Sequence, residues 1–305
     1  MPVDLTVEIA GLRLANPVLA ASGTFGYGLE FAHLVNLNRL GGLVVKGLSL
    51  EPMEGAPSPR VCETPSGMLN AIGLQNVGVR AFVAEKLPKL KEYRTAVVAN
   101  VFGTCVEEYC EVLRILEDAD GLAAYELNIS CPNVKKGGLQ FGGDPGSAGE
   151  VVGEARRVVS KRPLWVKLSP LVADIGGMGR AVADAGADAL TIANTYPAMC
   201  IDAASRRSRI ASPSGGLSGP AIKPVTLRLV YEAAKAVKIP ILGLGGIEKP
   251  DDVLEYFLAG ASAIQVGTAH FADPRASERL VNGLEKRCAE LTISRISEIR
   301  GGLRA

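Results

Sequence analysis

Aromatic residues make up 5% of this 305-residue chain, with a single tryptophan and two histidines. With two histidines, the side chain most often used as a general base is scarce. The formal net charge is +1, and no run of like charge occurs, which excludes the basic face or stripe of a nucleic-acid binder. No apolar run approaches the roughly 18 residues that suggest a membrane span. The opening stretch MPVDLTVEIAGLRL carries Asp4 and Glu8 where a signal peptide has a basic and then an apolar region. A cytoplasmic protein is expected. The six cysteines include no C-x-x-C pair. Cys105 and Cys110 have the opening spacing of a plant-type iron–sulfur motif, but Leu113 stands at the next required position. No metal site is expected in this chain, its thiols are expected to be reduced, and any iron–sulfur cluster would have to come from another subunit.

Glycine, by contrast, occurs 35 times, and hydrophobic residues make up 48%. Short runs of Val, Ile, Leu and Ala recur at Pro17–Ala21, Leu43–Lys46, Ala96–Val101, Tyr125–Ile129, Leu164–Leu168, Ala189–Ala193, Pro240–Leu244 and Ala263–Val266. Near-continuous apolar runs suit parallel strands buried on both faces. Most gaps carry a helical period: Val106, Tyr109, Cys110 and Leu113; Val151, Val152, Ala155, Val158 and Val159; Val253, Leu254, Phe257 and Leu258; Leu280, Val281, Leu284, Cys288 and Leu291. Such alternation predicts an α/β fold. A (β/α)8 barrel over residues 1–305 as a single domain is the first choice, and a doubly wound sheet the second. Three connections are long: Ser49–Thr95, with hairpin character, Val134–Ala148 and Thr195–Ile222. Long connections in a compact domain tend to be lids or binding loops.

Polar groups gather at the ends of these runs: Ser22, Lys46, Asn100, Asn128 leading into Ser130 and Cys131, Lys167, Asn194 with Thr195, Gly245 with Gly246, and Gly267 with Thr268. Each alone reads as a solvated strand end or a turn-former. In a barrel, however, C-terminal strand ends converge on one mouth where catalytic residues collect. The glycine loops after the seventh and eighth strands occupy the usual phosphate position, where backbone N–H groups must approach closely. The alternative is two ordinary glycine turns. Lys46 and Lys167 have three readings: scaffold ion pairs, a Schiff-base lysine, or cations holding negative charge on a cofactor or substrate. Two lysines beside a phosphate site fit a flavin. His33 reads as a surface residue in a helical stretch, and His270 lies beside the phosphate loops. Cys131 faces the mouth; it is either a base helped toward thiolate by a nearby lysine or an inert buried cysteine.

The stretches NPVLAASGTFGYGLEF, VVKGLSLEP, NAIGLQN, ANVFG, ELNISCPNVKKGG, WVKLSP, IANT, GGLSGPAIKP, GLGGI and QVGTAHF resemble, in order, the dihydroorotate dehydrogenase family. The resemblance runs from about Val7 to Leu291, and its cysteine in NISCPN is similar to the soluble, cysteine-base class 1. ASGTFGYGLEF and CPNVKKGG look most like the two-subunit, NAD-linked class 1B catalytic chain. The resemblance implies FMN as cofactor and oxidation of (S)-dihydroorotate to orotate in pyrimidine (UMP) synthesis. It implies that Cys131 is the base taking the C5 proton while C6 gives hydride to FMN. Lys46, Asn70, Ala71, Ile72, Gly73, Leu74, Asn128, Asn133, Asn194 and Thr195 match substrate-binding positions. Ser22, Lys46, Gly47, Asn100, Asn128, Lys167, Ala193, Gly219, Gly245, Gly246, Gly267 and Thr268 match FMN positions. It also implies a partner subunit carrying FAD and a [2Fe-2S] cluster, around a homodimer core in a two-plus-two heterotetramer. Val77 replaces a usual proline, and Tyr196–Pro197 stand where more pliant residues are expected.

Other readings remain open on the residues. They are a fumarate-linked class 1A enzyme, a dihydropyrimidine dehydrogenase-like flavin module, a Schiff-base aldolase or phosphosugar isomerase using Lys167, and a non-catalytic docking barrel.

Overall fold

The eight apolar runs form eight strands in the computed structural model, which describes residues 3–130 and 141–304. They are β1 (Val18–Ala20), β2 (Gly42–Val44), β3 (Ala96–Val101), β4 (Ala124–Asn128), β5 (Leu164–Lys167), β6 (Ala189–Ile192), β7 (Ile241–Leu244) and β8 (Ala263–Val266). Each pairs in parallel with its sequence neighbour, and β8 pairs with β1 through Gln265 opposite Leu19. That last ladder closes the barrel and excludes the doubly wound sheet, whose edges stay open. Five of the strands stop a residue or two earlier than their apolar runs. At the end of β2, Val45 still donates to the Val98 carbonyl, but Lys46 N–H has turned to Gly26 in the first loop.

Helices cover the outside wherever the sequence carries the helical period. They span Val106–Glu117, Pro145–Val158, Ile175–Asp184, Lys223–Ala236, Pro250–Leu258 and Ala276–Glu290, with a further helical segment over 79–90 that contains a π turn at Phe82–Lys86. Their starts are encoded locally. Asp144 and Asp174 accept from Ser147 and Gly177 N–H, satisfying donors that a helix leaves unpaired. Pro145 and Pro250 sit in the first turn, where a missing N–H costs nothing. Between β1 and β2 the structure differs from expectation. Only single 3-10 turns form, Leu29–Phe31 and Leu37–Arg39, and exposed His33 lies in the turn between them. Gly26 and Gly28, both at positive φ, turn the chain just before the first of them.

The long connections build a lid. Val61–Thr64 and Gly67–Asn70 form the hairpin expected in the second connection. Gly215–Ser218 and Tyr196–Ala198 from the sixth connection extend it into a four-stranded antiparallel sheet. Tyr196–Pro197 lies on the edge strand of this sheet, where a proline removes no inner ladder bond. Val77 keeps an N–H that a proline would lack, and donates it to the Tyr27 hydroxyl at 3.1 Å. Residues 131–140, which include Cys131, Asn133 and the start of the connection Val134–Ala148, lie outside the described residues. Among the described residues, no helix is long and apolar enough to cross a membrane.

Candidate active site

A cavity of about 640 Å³ opens at the C-terminal ends of the strands, beneath the lid sheet. Every described residue singled out for substrate or cofactor lines it: Ser22, Lys46, Gly47, Asn70 to Leu74, Asn100, Asn128, Lys167, Ala193, Asn194, Thr195, Gly219, Gly245, Gly246, Gly267 and Thr268. Cys131 and Asn133 belong to the segment that is not described.

The lysines enter from different strands. Lys167 ends β5, is 4% exposed, and reaches Ser22 Oγ at 3.4 Å. Burial pushes its affinity for protons down, while the carboxylate of Glu126 pulls it back up. Lys46 is half-buried just beyond β2, and burial, reinforced by the charge of Arg60, also lowers its pKa. Both shifts have one physical meaning: these ammonium groups lack full solvation, and an anionic ligand would favour their charged form.

The amides are held in a chain. Ser130 Oγ donates to Asn128 Oδ1 at 2.6 Å and accepts from Asn194 Nδ2 at 2.6 Å. Asn194 Oδ1 in turn accepts from Thr195 N–H at 2.8 Å. Ser130 therefore couples the β4 and β6 ends immediately before Cys131. Above them, Asn70 closes the lid strand and donates to the Gly216 carbonyl at 3.0 Å. An amide has a second N–H and an oxygen to offer, which suits a planar ring edge carrying both donors and acceptors.

At the opposite end of the cavity the wall is backbone. Gly219, Gly245 and Gly246 all have positive φ. A Cβ on Gly246 would lie 2.8 Å from the Gly219 carbonyl oxygen, and one on Gly219 would lie 2.6 Å from Gly67 Cα. Three chain segments thus approach at distances that only glycine permits. A phosphate held by backbone N–H groups needs such a cradle, so the residues present fit a phosphate-bearing flavin: glycine loops for the phosphate, Lys167 for the charge of the ring. Lys223, although adjacent, is engaged by Asp252 at 2.6 Å and Glu255 at 2.8 Å. His270 points away from the cavity toward Ser277, at 2.8 Å, and burial pushes its imidazole down to about 4.

Three polar residues of the barrel interior were not legible as site residues. Glu126, fully buried on β4, accepts from Asn100 Nδ2 at 2.8 Å and from Thr191 Oγ1 at 2.7 Å. Gln265 donates to the same carboxylate at 2.5 Å. One signal was available: a carboxylate two residues before Asn128 shares its face in a strand otherwise apolar.

A sequence profile described as dihydroorotate dehydrogenase matches residues 4–288. A Solibacter usitatus protein, provisionally named dihydroorotate dehydrogenase A (fumarate), is 56% identical, with all of both chains aligned. Two proteins named dihydroorotate dehydrogenase B (NAD(+)), catalytic subunit, are similar over nearly their full lengths. The one from Pelobacter propionicus is 54% identical over 99% of each chain, and the one from Geobacter sp. strain M21 is 53% identical over 98% of each. With the profile covering the barrel from its first strand to its last helix, the chain belongs to the dihydroorotate dehydrogenase family.

Proposed function

We propose that this protein is a single-domain FMN barrel over residues 1–305 that oxidises (S)-dihydroorotate to orotate as the catalytic subunit of an NAD-linked enzyme. The observation that carries the reading is the convergence of two lysines, four asparagines and the glycine cradle on one cavity, in a chain of this family. Ser22, Gly47, Asn100, Lys167, Ala193, Gly219, Gly245, Gly246, Gly267 and Thr268 would hold FMN, with Lys46 and Asn128 serving both ligands. When bound, FMN supplies the acceptor for the hydride that leaves C6.

The chain's own residues do the rest. Lys46 faces the substrate carboxylate, and that anion favours the charged form of the lysine. Asn70, Asn128, Asn133 and Asn194, with Thr195 and the backbone of Ala71–Leu74, hold the ring through its amide edges. Cys131 removes the C5 proton, which is acidified by the adjacent carbonyl, and a thiolate is a competent base for it. The lid sheet shelters the site from water.

Electrons reach NAD through a second subunit carrying FAD and a [2Fe-2S] cluster, in a two-plus-two assembly built on a dimer of this chain. The NAD-linked, catalytic-subunit names of the Pelobacter and Geobacter relatives support this. A fumarate-linked reading draws on the Solibacter relative, and one experiment separates the two. The purified chain, yellow with FMN, is given dihydroorotate with a dye, with NAD, or with fumarate. Dye reduction without NAD reduction is expected. NAD reduction by the single chain would refute the need for a partner, and fumarate turnover matching the dye rate would move the protein to the fumarate-linked class. A colourless protein would refute the FMN reading of the cavity.

A further inference from the structure

We propose that Glu126 is a positioning residue of the cofactor site, setting the orientation of Asn100 and maintaining the charge of Lys167. The inference rests on the FMN reading of the cavity and goes beyond it, because Glu126 does not line the cavity itself.

The geometry is that of a carboxylate one layer below the ligand. Glu126 is 0% exposed in the barrel interior. Its oxygens accept from Asn100 Nδ2 at 2.8 Å on β3, Thr191 Oγ1 at 2.7 Å on β6 and Gln265 Nε2 at 2.5 Å on β8. Four strands therefore meet on one side chain. All three donors are uncharged, so they satisfy the oxygens without cancelling the charge. Lys167 carries the compensating charge. It sits on the adjacent strand opposite Asn128, two residues beyond Glu126 in the ladder and on the same inward face, about 7 Å along the strand. Each charge lowers the cost of burying the other.

Two consequences reach the cavity. Asn100 has its amide nitrogen turned toward Glu126, so its oxygen points the other way. A Cβ on Gly47, a cavity residue, would lie 2.9 Å from that oxygen. Glu126 thereby presents an acceptor, rather than a donor, to the bound ring. The second consequence concerns Lys167, whose charged form is disfavoured by burial and favoured by the Glu126 carboxylate. Glu126 beneath it favours the cation, and a cation stabilises the negative charge of reduced flavin.

The test is Glu126→Gln in the full-length chain, read by FMN affinity from fluorescence quenching and by the midpoint potential of the bound flavin. The glutamine keeps the shape but presents an N–H to one of the three donors and removes the charge. FMN affinity should fall about tenfold, the scale of one misoriented hydrogen bond, and the potential should fall. The sign is diagnostic. Removing a negative charge by itself would raise the potential, and a fall requires that the lysine charge goes with it. Unchanged affinity and potential, or a raised potential, would overturn the proposal. A wild-type chain that does not bind FMN would overturn the cofactor reading instead. If Glu126→Gln fails to fold, Lys167→Met and Lys167→Met/Glu126→Gln decide the matter. The double variant should melt higher than Lys167→Met, which leaves a lone buried carboxylate; a lower melting temperature refutes the coupling.

Discussion

Replacing Gly246 by alanine tests the phosphate cradle with one methyl group. Gly246 has φ +66, a left-handed conformation that costs an L-residue about 1–2 kcal/mol. The new Cβ would lie 2.8 Å from the Gly219 carbonyl oxygen, 2.8 Å from Lys223 Cβ and 3.1 Å from Pro220 Cα. Two of these three atoms are backbone, so relief must come from moving the loop, and overpacking of this kind costs about 1–3 kcal/mol. The sum, roughly 2–5 kcal/mol, predicts a fall in Tm of roughly 3–8 °C for a chain of this size. It also moves Gly219 and Gly246 apart, which spoils the cradle and lowers FMN affinity further than the Tm alone reports. Gly153→Ala is the control. That glycine lies inside the helix Pro145–Val158, and a Cβ there meets nothing within 4 Å. Its replacement should stabilise by up to about 1 kcal/mol, because glycine is the poorer helix former. Melting curves and FMN titrations of both variants give the comparison. A Gly246→Ala protein that binds FMN and melts as the wild type does would refute the cradle.

Cys131→Ala should retain FMN and bind orotate, yet lose about a hundred- to ten-thousand-fold in dihydroorotate oxidation at neutral pH, measured by dye reduction; Cys131→Ser should recover part of the rate only at high pH. His270 supplies a pH signature of stability. Its imidazole is held near 4 in the folded chain, chiefly by burial, against an ordinary value of 6.5. The unfolded chain therefore takes up the proton first. Stability present above pH 6.5 falls as the pH drops toward 4, by about 3 kcal/mol at most for this group. Urea unfolding across that range should show the slope in the wild type and lose that part of it in His270→Gln. An identical slope in both would rule His270 out as its source.

The eight strands and most of the helices were legible in the sequence because their signals are local. A strand buried on both faces is apolar throughout, and a helix against a barrel repeats its apolar residues every three or four positions. The first connection differs because the short apolar spacing of Phe31 and Leu34 around His33 suits a single 3-10 turn as well as a helix. The polar residues at the strand ends were legible too, since Asn100, Asn128 and Lys167 each interrupt an apolar run one residue before its end and Asn194 directly follows one. That they line one cavity follows from closure of the barrel, the β8–β1 ladder that brings Gln265 beside Leu19.

Other features required the folded chain. Glu126 meets Gln265 across 139 positions of sequence and Thr191 across 65, so its place in an apolar strand marks an inward carboxylate but not the partners that share it. The lid sheet pairs Asn70 with Gly216, joining two loops whose composition indicates turns and nothing about their partners. Local sequence determined which residues enter strands and helices and which strand ends are polar, because those choices depend on neighbours a few bonds away. Tertiary structure alone decided which buried charges face each other, because charge pairing across a barrel interior depends on distance in space.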